Sequence, residues 1–204
     1  MFISIEGIEG TGKSTVAAAL TKRLNDNGIP VLLSREPGGT DIAESIRKVL
    51  LQNFTNETMT AKVELMLMFA SRVQHVEAKI KPALAKGSWG ICDRFVDASY
   101  AYQGGGRGID HDLIHQLHMW SITEFMPSKT ILLDMAPDKA FERVRLRNNG
   151  KDRIEQEEIE FFERVRAKYL QLANSDKNRF FTVNADQAPE IIINLILDEV
   201  ATWI

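Results

Sequence analysis

Short runs of apolar and β-branched residues alternate along the chain with longer segments whose apolar positions repeat with helical period. The short runs predict β-strands at residues 2–6, 29–34, 89–93, 130–134 and 180–184. The longer segments predict helices at residues 13–27, 40–52, 60–86, 111–125, 137–147, 155–175 and 188–203. Several strands are almost wholly apolar, as expected when both faces of a parallel sheet are covered. The alternation of strands and helices therefore predicts an α/β fold with right-handed crossover connections.

One domain is expected over residues 1–204, because no repeat, low-complexity tract or linker divides the sequence. Two glycine-rich stretches, 104–108 and 148–150, are predicted to be loops within it. The formal net charge of −3 gives no electrostatic reason to expect a nucleic-acid partner. Cys92 is the single cysteine, and no apolar run reaches the ~20 residues of a membrane span. We therefore expect a cytoplasmic protein with no membrane partner.

Residues 7–15 read GIEGTGKST and satisfy the phosphate-binding pattern G-x-x-x-x-G-K-[ST] in full. The match follows the first predicted strand and opens a predicted helix, so backbone N–H groups and the helix N-terminus would face one anion. Lys13 is placed to reach the β- and γ-phosphates, and the Ser14 hydroxyl to bind Mg²⁺. The alternative is a glycine-rich turn in an ordinary βα unit, but the full motif in this context favours nucleotide binding. The expected ATP site is made of Gly7, Ile8, Glu9, Gly10, Thr11, Gly12, Lys13 and Ser14.

Nucleotide binding alone does not separate a kinase from a GTP-dependent switch. A guanine-reading Asn-Lys-x-Asp sequence would favour the switch, and residues 184–186 (NAD) lack the lysine. The third predicted strand ends in Asp93, the position from which a carboxylate reaches Mg²⁺ in P-loop enzymes, and Arg94 follows it. A surface Asp–Arg pair is the alternative, but beside a phosphate-binding loop such a pair is typical of a second anion site. The sequence therefore favours phosphoryl transfer to a phosphate-bearing acceptor.

Two further arginines are candidate contacts for that acceptor. Arg35 precedes the turn-forming residues 36–40 (EPGGT), which are either a plain turn or an acceptor-binding loop. On the predicted helix 60–86, Arg72 lies three residues after Phe69, so both side chains could project to one pocket. A core aromatic residue beside a solvated arginine is the simpler interpretation, and the spacing alone favours it.

A basic stretch is interrupted by the Asn-Asn-Gly sequence at 148–150, and its cations are Arg143, Arg145, Arg147, Lys151 and Arg153. Such a stretch is either a solvated charge run or a lid that closes over the triphosphate. Phosphoryl transfer depends on positioning and charge neutralisation, so an arginine brought by a lid would be catalytic. We expect a lid at about 143–156, with Arg153 as the catalytic arginine.

Together these segments resemble the bacterial thymidylate kinases, which phosphorylate dTMP to dTDP. The resemblance spans nearly the whole chain and rests on residues 5–10 (IEGIEG), 35–40 (REPGGT), 93–95 (DRF), 101–108 (AYQGGGRG) and 152–157 (DRIEQE). The REPGG and AYQG sequences in this order are far more specific than the P-loop alone. The resemblance implies a P-loop NTPase fold, with a five-stranded parallel sheet, helices on both faces and a short lid. It also implies a homodimer that uses ATP and Mg²⁺ to phosphorylate dTMP in a step of dTTP synthesis.

The resemblance further implies a role for each matching residue of this sequence. Arg94 would hold the acceptor phosphate, and Glu9 would face the 3′-hydroxyl of the acceptor and help to organise Mg²⁺. Arg72 and Ser99 would contact the thymine, and Tyr102 would lie where a ribose 2′-hydroxyl would project. The implied catalytic residues are Lys13, Arg94, Arg153 and Glu9. The implied metal ligands are Ser14 and Asp93, and the implied dTMP contacts are Arg35, Pro37, Phe69, Arg72, Arg94, Ser99 and Tyr102.

Two departures from the family pattern concern the base and the lid. Many members carry the stacking Phe four residues before the base-reading Arg, where this sequence has Met68; we expect Phe69 to stack on the ring, with Met68 covering part of it. The lid is one residue longer than the form compared, which leaves the roles of Arg147 and Lys151 open. Two alternatives stay open: a nucleoside monophosphate kinase of broader pyrimidine specificity, and a P-loop protein that binds nucleotide without turnover.

Overall fold

A five-stranded parallel sheet forms the centre of the computed structural model, which describes residues 1–145 and 152–204. The strands are β1 (Phe2–Glu6), β2 (Val31–Arg35), β3 (Trp89–Asp93), β4 (Lys129–Asp134) and β5 (Phe180–Asn184). Their order is β2-β3-β1-β4-β5, and every neighbouring pair is parallel. Strand β1 is central, and all five of its residues are buried, so both faces of the sheet are covered. The predicted strands are confirmed, with bounds that differ by at most two residues.

Helices connect the strands in the predicted order. They are α1 (Lys13–Asp26), α2 (Asp41–Leu51), α3 (Ala61–His75), α4 (Lys81–Ala85), α5 (Val96–Ser99), α6 (His111–Ile122), α7 (Pro137–Arg145), α8 (Ile159–Ser175) and α9 (Pro189–Ala201). A π-helical turn, Val76–Ile80, joins α3 to α4, so the predicted helix 60–86 is one continuous run with a π-helical insertion. Among these described helices, none is both long enough and apolar enough to cross a membrane.

The core lies on both faces of β1 because successive side chains of a strand point to opposite faces. Ile3 and Ile5 are fully buried in a cluster that includes residues of α1 and α9. Phe2 points the other way and packs edge-on against Phe95, with ring centres 5.0 Å apart, and in parallel against Phe125 at 5.3 Å. The central strand is therefore held from both sides, which fixes the loop that leaves its carboxyl end.

The prediction of a loop at 104–108 is wrong over its first part, because Tyr100–Gly106 is a π-helical segment that continues α5. The physical reason is a close approach by α8. A Cβ atom on Gly106 would lie 2.4 Å from the Phe161 ring, and one on Gly105 would lie 2.7 Å from Lys168 Cβ. The glycines thus allow α8 to pack against this segment, a long-range contact that local sequence preference does not reveal. The second predicted loop, 148–150, and the last two residues of predicted helix 137–147 lie outside the described residues.

Helix α8 begins four residues later than predicted, at Ile159. The residues before it form a turn, because the Asp152 carboxylate accepts hydrogen bonds from the backbone N–H groups of Ile154 and Glu155, both at 2.9 Å. Asp and Asn side chains commonly form such turns at the expense of helix. This turn contains the end of the predicted lid.

Candidate active site

The carboxyl ends of β1, β2 and β3 meet at one edge of the sheet, where ligands of such folds bind. Two neighbouring cavities open there. The P-loop cavity is lined by Glu9, Gly10, Gly12, Lys13, Ser14, Thr15, Arg35, Glu36, Arg47, Asp93, Arg94, Asp152 and Glu155. The Arg72 cavity is lined by Glu9, Glu36, Pro37, Arg47, Leu51, Met68, Arg72, Arg94, Phe95, Ala98, Ser99, Tyr102, Gln103, Asp152 and Ile154. The residues common to both linings are Glu9, Glu36, Arg47, Arg94 and Asp152.

The loop after β1 has the form of an anion-binding loop. Gly12 takes the left-handed conformation, with φ of 95°, and forms the N-cap of α1 without a side-chain hydrogen bond to the helix. The first N–H groups of α1 are therefore left for a ligand. Gly10 lies so close to α7 that a Cβ atom there would be 2.2 Å from the Ala140 carbonyl oxygen. This close approach explains why glycine is needed at position 10.

Lys13 lies within this loop rather than in solvent. Its Nζ donates to the Ile8 carbonyl oxygen at 2.8 Å, and the residue is 8% exposed. Burial, together with the positive charge of Arg94, lowers the pKa of Lys13 to about 8. An anion bound in the P-loop cavity would oppose both effects and stabilise the charged ammonium group.

Ser14 and Asp93 face each other across the P-loop cavity. The Ser14 hydroxyl donates to Asp93 Oδ2 at 3.0 Å, although 79 residues separate them in sequence. A hydroxyl and a carboxylate are oxygen donors of the kind that Mg²⁺ prefers. Both predicted metal ligands therefore lie together, at the place where a triphosphate would meet them.

Arg94 lies between the two cavities. Its backbone is in the left-handed region, with φ of 72°, an uncommon conformation for a residue with a side chain. Its Nη1 donates to the Gly7 carbonyl oxygen at 2.7 Å, and its Nη2 donates to Glu9 Oε1 at 2.7 Å. The guanidinium carbon lies 4.7 Å from the centre of the Tyr102 ring. The side chain is thus held against the P-loop and can contact an anion in either cavity.

Glu9 and Tyr102 complete this arrangement. The Tyr102 hydroxyl donates to Glu9 Oε2 at 2.7 Å, so each Glu9 oxygen has one partner. Burial raises the pKa of the Tyr102 hydroxyl well above its ordinary value. The predicted trio of Glu9, Arg94 and Tyr102 is therefore one hydrogen-bonded group.

Arg72 is buried, which contradicts the interpretation that it is a solvated side chain. It is 2% exposed, and its Nε donates to Glu36 Oε2 at 2.7 Å. Its Nη1 donates to Ser99 Oγ at 3.0 Å and its Nη2 to the Phe95 carbonyl oxygen at 3.1 Å. A guanidinium has five N–H groups, so two have no partner among the described residues and can meet a ligand in the Arg72 cavity.

The expected position of Phe69 differs from the observed one. Phe69 is 3% exposed and does not belong to the lining of the Arg72 cavity, and its ring lies 4.8 Å from the Arg72 guanidinium carbon. Met68, one residue earlier, does line the cavity. Met68 therefore faces the space that a flat ligand would occupy, and Phe69 packs against the Arg72 guanidinium outside the cavity lining.

The loop that follows β2 is held by contacts from α2. Arg35 is more than half exposed, pairs with Glu44 at 3.0 Å and lines the P-loop cavity rather than the Arg72 cavity. Pro37 lines the Arg72 cavity, and its carbonyl oxygen accepts from Arg47 Nη1 at 2.8 Å. Glu44 also accepts from the Gly39 backbone N–H at 2.8 Å. The segment is therefore an ordered wall of the site and more than a plain turn.

Arg47 is a site residue that our sequence analysis missed. It lines both cavities and holds the Pro37 carbonyl. A signal was present in the sequence, since Ala43, Arg47 and Leu50 follow the spacing of one helical face, on which Ala43 and Leu50 are buried. An arginine on the buried face of an amphipathic helix indicates a charge that serves a site or a buried ion pair.

Arg153 lies outside the lining of the P-loop cavity. Its Nη2 contacts Glu64 Oε2 at 2.7 Å, and its Nε donates to the Leu50 carbonyl oxygen at 2.9 Å. Glu64 is 1% exposed and also binds Gln103 and Arg107. Burial alone would raise the pKa of Glu64, but the Gln103 hydrogen bond and the Arg107 charge lower it. The predicted catalytic role of Arg153 stays a prediction, and Arg147 and Lys151 lie outside the described residues.

Both the sequence and the fold of this chain are similar to those of known proteins. Residues 5–196 match the family model described as thymidylate kinase. A thymidylate kinase of Alcanivorax borkumensis is 47% identical over 205 aligned residues, covering 99% of this chain and 98% of that protein. One of Chromohalobacter salexigens is 46% identical, covering 94% of this chain and 90% of that protein. The crystal structure of thymidylate kinase from Ehrlichia chaffeensis superposes with a TM-score of 0.79 at 32% identity, covering 98% of both chains.

Proposed function

This chain belongs to the thymidylate kinase family, and we propose that it transfers the γ-phosphoryl group of ATP to dTMP. A phosphate oxygen of dTMP attacks the γ-phosphorus, the bond from that phosphorus to the β,γ-bridging oxygen breaks, and dTDP and ADP leave. The observation that carries this proposal is the position of Arg94, whose side chain lines both the P-loop cavity and the Arg72 cavity. A cation at that point can neutralise an acceptor phosphate while it faces the donor phosphate.

ATP is the phosphoryl donor, and its phosphates bind in the P-loop cavity. The backbone N–H groups of residues 7–14 surround them, and the N-terminus of α1 points at them. Lys13 contacts the β- and γ-phosphates and exchanges its contact with the Ile8 carbonyl for phosphate oxygens. The positive end of the helix and the ammonium group together stabilise the charge of the transferring group.

Mg²⁺ fits the donor set formed by Ser14 and Asp93, whose oxygens lie 3.0 Å apart. The Ser14 hydroxyl and the Asp93 carboxylate would hold it, with phosphate oxygens and water as further ligands. When bound, the ion supplies charge neutralisation to the β- and γ-phosphates. Glu9 is paired with Arg94 and Tyr102, so we assign it to the sugar 3′-hydroxyl and to the surroundings of the ion rather than to direct metal binding.

The acceptor lies in the Arg72 cavity. Arg72 has two N–H groups for a thymine carbonyl, and Ser99, which already accepts from Arg72, lies beside the N3 edge of the base. Met68 and Phe95 line the same cavity and give apolar contact to the ring, while Phe69 packs against Arg72 outside the cavity lining.

The loop after β2 and helix α2 complete the acceptor site. Pro37 covers the base from that loop, and Arg35 and Arg47 add positive charge on the phosphate side.

Tyr102 sets the preference for deoxyribose in this proposal. Its hydroxyl is held by Glu9, and its ring lies against Arg94, so the side chain cannot move aside without breaking the site. A 2′-hydroxyl would have to displace a buried, hydrogen-bonded aromatic residue. The selectivity is measured as the ratio of kcat/KM for dTMP to that for its ribonucleotide counterpart.

The catalytic residues in this account are Lys13, Arg94, Glu9 and Arg153. Arg153 must leave Glu64 when both nucleotides are bound, since in this structure it contacts Glu64 and lies outside the P-loop cavity. The buried Glu64 carboxylate keeps Gln103 and Arg107 as partners after that movement. Movement of Arg153 towards the nucleotides therefore does not leave the Glu64 carboxylate as an unpaired buried charge.

We assign residues 1–204 to one P-loop kinase domain that acts as a homodimer in the cytoplasm, where its substrate ATP is found. Apolar side chains on the neighbouring helices α3 and α6 are candidates for the dimer contact. Met66 is 57% exposed on α3, and Trp120 is 83% exposed on α6. A second copy that covers such side chains would remove apolar area from water. Light scattering should give the mass of a dimer, and Trp120→Glu should lower it towards that of the monomer.

A coupled assay of ADP release, with and without dTMP, tests the proposed reaction. ADP should form at an appreciable rate only when dTMP and Mg²⁺ are both present, and Lys13→Ala should serve as a folded, inactive control. Equal rates with dTMP, dUMP and CMP would support a kinase of broader pyrimidine specificity. Nucleotide binding without any acceptor-dependent ADP release would support a P-loop protein that does not turn over.

A further inference from the structure

Beneath Arg94 lies a pair of buried residues that belong to the lining of neither the P-loop cavity nor the Arg72 cavity, Glu6 and Tyr169. Glu6 is the last residue of β1 and is 0% exposed, and Tyr169 on α8 is 1% exposed. The Tyr169 hydroxyl donates to Glu6 Oε2 at 2.7 Å, over a separation of 163 residues. A buried carboxylate and a buried hydroxyl are costly unless each has a hydrogen-bond partner, and here they are partners of each other. The pair lies directly beside Arg94, which contacts the Tyr169 hydroxyl.

The Tyr169 hydroxyl joins Arg94 to Glu6 in one direction only. Arg94 Nη1 lies 3.3 Å from the Tyr169 oxygen, and a guanidinium can only donate. The hydroxyl therefore accepts from Arg94, and it donates its own proton to Glu6 Oε2. The resulting chain runs from Arg94 through Tyr169 to Glu6, and it requires an acceptor at its end.

Glu6 also holds the backbone at Arg94. Its Oε1 accepts from the Phe95 backbone N–H at 2.7 Å, and the Arg94 N–H donates to the Ile5 carbonyl oxygen at 3.0 Å. The two donors are the backbone N–H groups on either side of the Arg94 Cα atom, so they hold the residue in its left-handed conformation, with φ of 72°. Such a conformation is strained for a residue with a Cβ atom and persists only where neighbouring contacts enforce it.

We propose that Glu6 and Tyr169 are positioning residues, which hold both the strained backbone and the guanidinium of Arg94 so that it faces the acceptor phosphate. They touch neither substrate and act only through Arg94. This inference rests on the proposed function, because it concerns the phosphate of the acceptor. Two buried residues outside both cavity linings thus determine the affinity for dTMP, whereas the KM for ATP does not depend on them.

The first test replaces Tyr169 by Phe, which removes one hydroxyl and keeps the ring. The dissociation constant for dTMP, measured by titration calorimetry, should rise about 10-fold, as expected for loss of a hydrogen bond to a charged group. The KM for ATP should change less than about 2-fold, because Lys13 and the backbone N–H groups at the N-terminus of α1 make no contact with the Tyr169 hydroxyl. Tyr100→Phe is the matched control. Tyr100 is also buried but lies outside both cavity linings, and its variant should bind dTMP as the wild type does.

A double-mutant cycle separates positioning from a structural role. Arg94→Lys keeps the charge but loses the second prong that meets Gly7 and Tyr169. In the Arg94→Lys background, Tyr169→Phe should change dTMP affinity by less than about 2-fold, since the group through which it acts is gone. If Tyr169→Phe lowers dTMP affinity by the same factor in both backgrounds, the proposal is wrong and Tyr169 is a structural residue.

Glu6→Gln covers the case in which Tyr169→Phe does not fold. The Gln amide retains an oxygen for the Phe95 N–H but presents a donor to the Tyr169 hydroxyl, so the chain from Arg94 loses its acceptor. The variant should show weakened dTMP binding with unchanged ATP KM. Wild-type-like binding of dTMP by a folded Glu6→Gln variant would overturn the proposal. Failure of the wild type itself to bind dTMP would instead overturn the proposed function.

Discussion

Replacing Arg72 by Met probes the buried ion pair that links the acceptor site to the stability of the fold. The side chains of Arg72 and Glu36 are 2% and 3% exposed and meet at 2.7 Å. Met keeps much of the length of the side chain but removes the guanidinium, and among the described residues the Glu36 carboxylate then keeps the His75 contact at 3.1 Å alone. Breaking a buried pair on one side costs about 3–5 kcal/mol because an uncompensated charge stays buried. The Ser99 hydroxyl and the Phe95 carbonyl lose a donor as well.

Urea denaturation followed by circular dichroism should therefore show that Arg72→Met lowers the free energy of unfolding by about 3–5 kcal/mol. The double variant Glu36→Gln/Arg72→Met should recover part of that loss, because no buried charge is left without a partner. Both variants should bind dTMP weakly, since the thymine carbonyl loses its donors. A cost of less than about 1 kcal/mol for Arg72→Met, or a double variant less stable than the single one, would contradict a buried charge pair at this site.

Three further predictions concern the donor site, the lid and a buried histidine. Lys13→Ala should remove most phosphoryl transfer at an unchanged fold, checked by kcat and circular dichroism, and near-normal kcat would contradict the assigned role. Arg153→Ala should lower kcat by roughly 10²-fold or more, with little recovery in Arg153→Lys; a catastrophic Arg147→Ala with a mild Arg153→Ala would move the role to Arg147. Burial and the charge of Arg72 lower the pKa of His118 to about 4 in the folded protein. In the unfolded chain the pKa is the ordinary value of ~6.5, so below that pH the unfolded chain binds a proton that the folded chain does not. Stability should therefore fall by about 1–2 kcal/mol between pH 7 and pH 5, and His118→Leu should remove that slope in urea titrations; an equal slope in both would contradict the prediction.

The parts of the site that the sequence predicted are those encoded by contiguous residues. The loop at 7–14 combines a strand, glycines and a helix start in one segment, so its form follows from local preference. Asp93 and Arg94 end a short apolar strand, and parallel strands bring such ends together. The same rule accounts for the contact between Ser14 and Asp93 at 3.0 Å.

The parts that the sequence did not predict depend on contacts between distant segments. Arg72 was expected in solvent on spacing alone, but it is buried, with its charge paired by Glu36 from the loop after β2. Met68 and Phe69 are adjacent on α3, and tertiary packing decides which of them faces the cavity: Phe69 lies in a buried cluster and against Arg72, whereas Met68 lines the cavity. The π-helical segment Tyr100–Gly106 follows from the approach of α8 to its glycines. A pattern along one segment contains none of this information.

The most direct test of phosphoryl transfer to dTMP is chromatographic detection of dTDP after incubation of the enzyme with ATP, Mg²⁺ and dTMP. We expect dTDP and ADP in a one-to-one ratio, and loss of both products when dTMP is omitted or when Lys13→Ala replaces the wild type. Formation of ADP without dTDP, or of neither product by a folded wild-type enzyme that binds ATP, would contradict it.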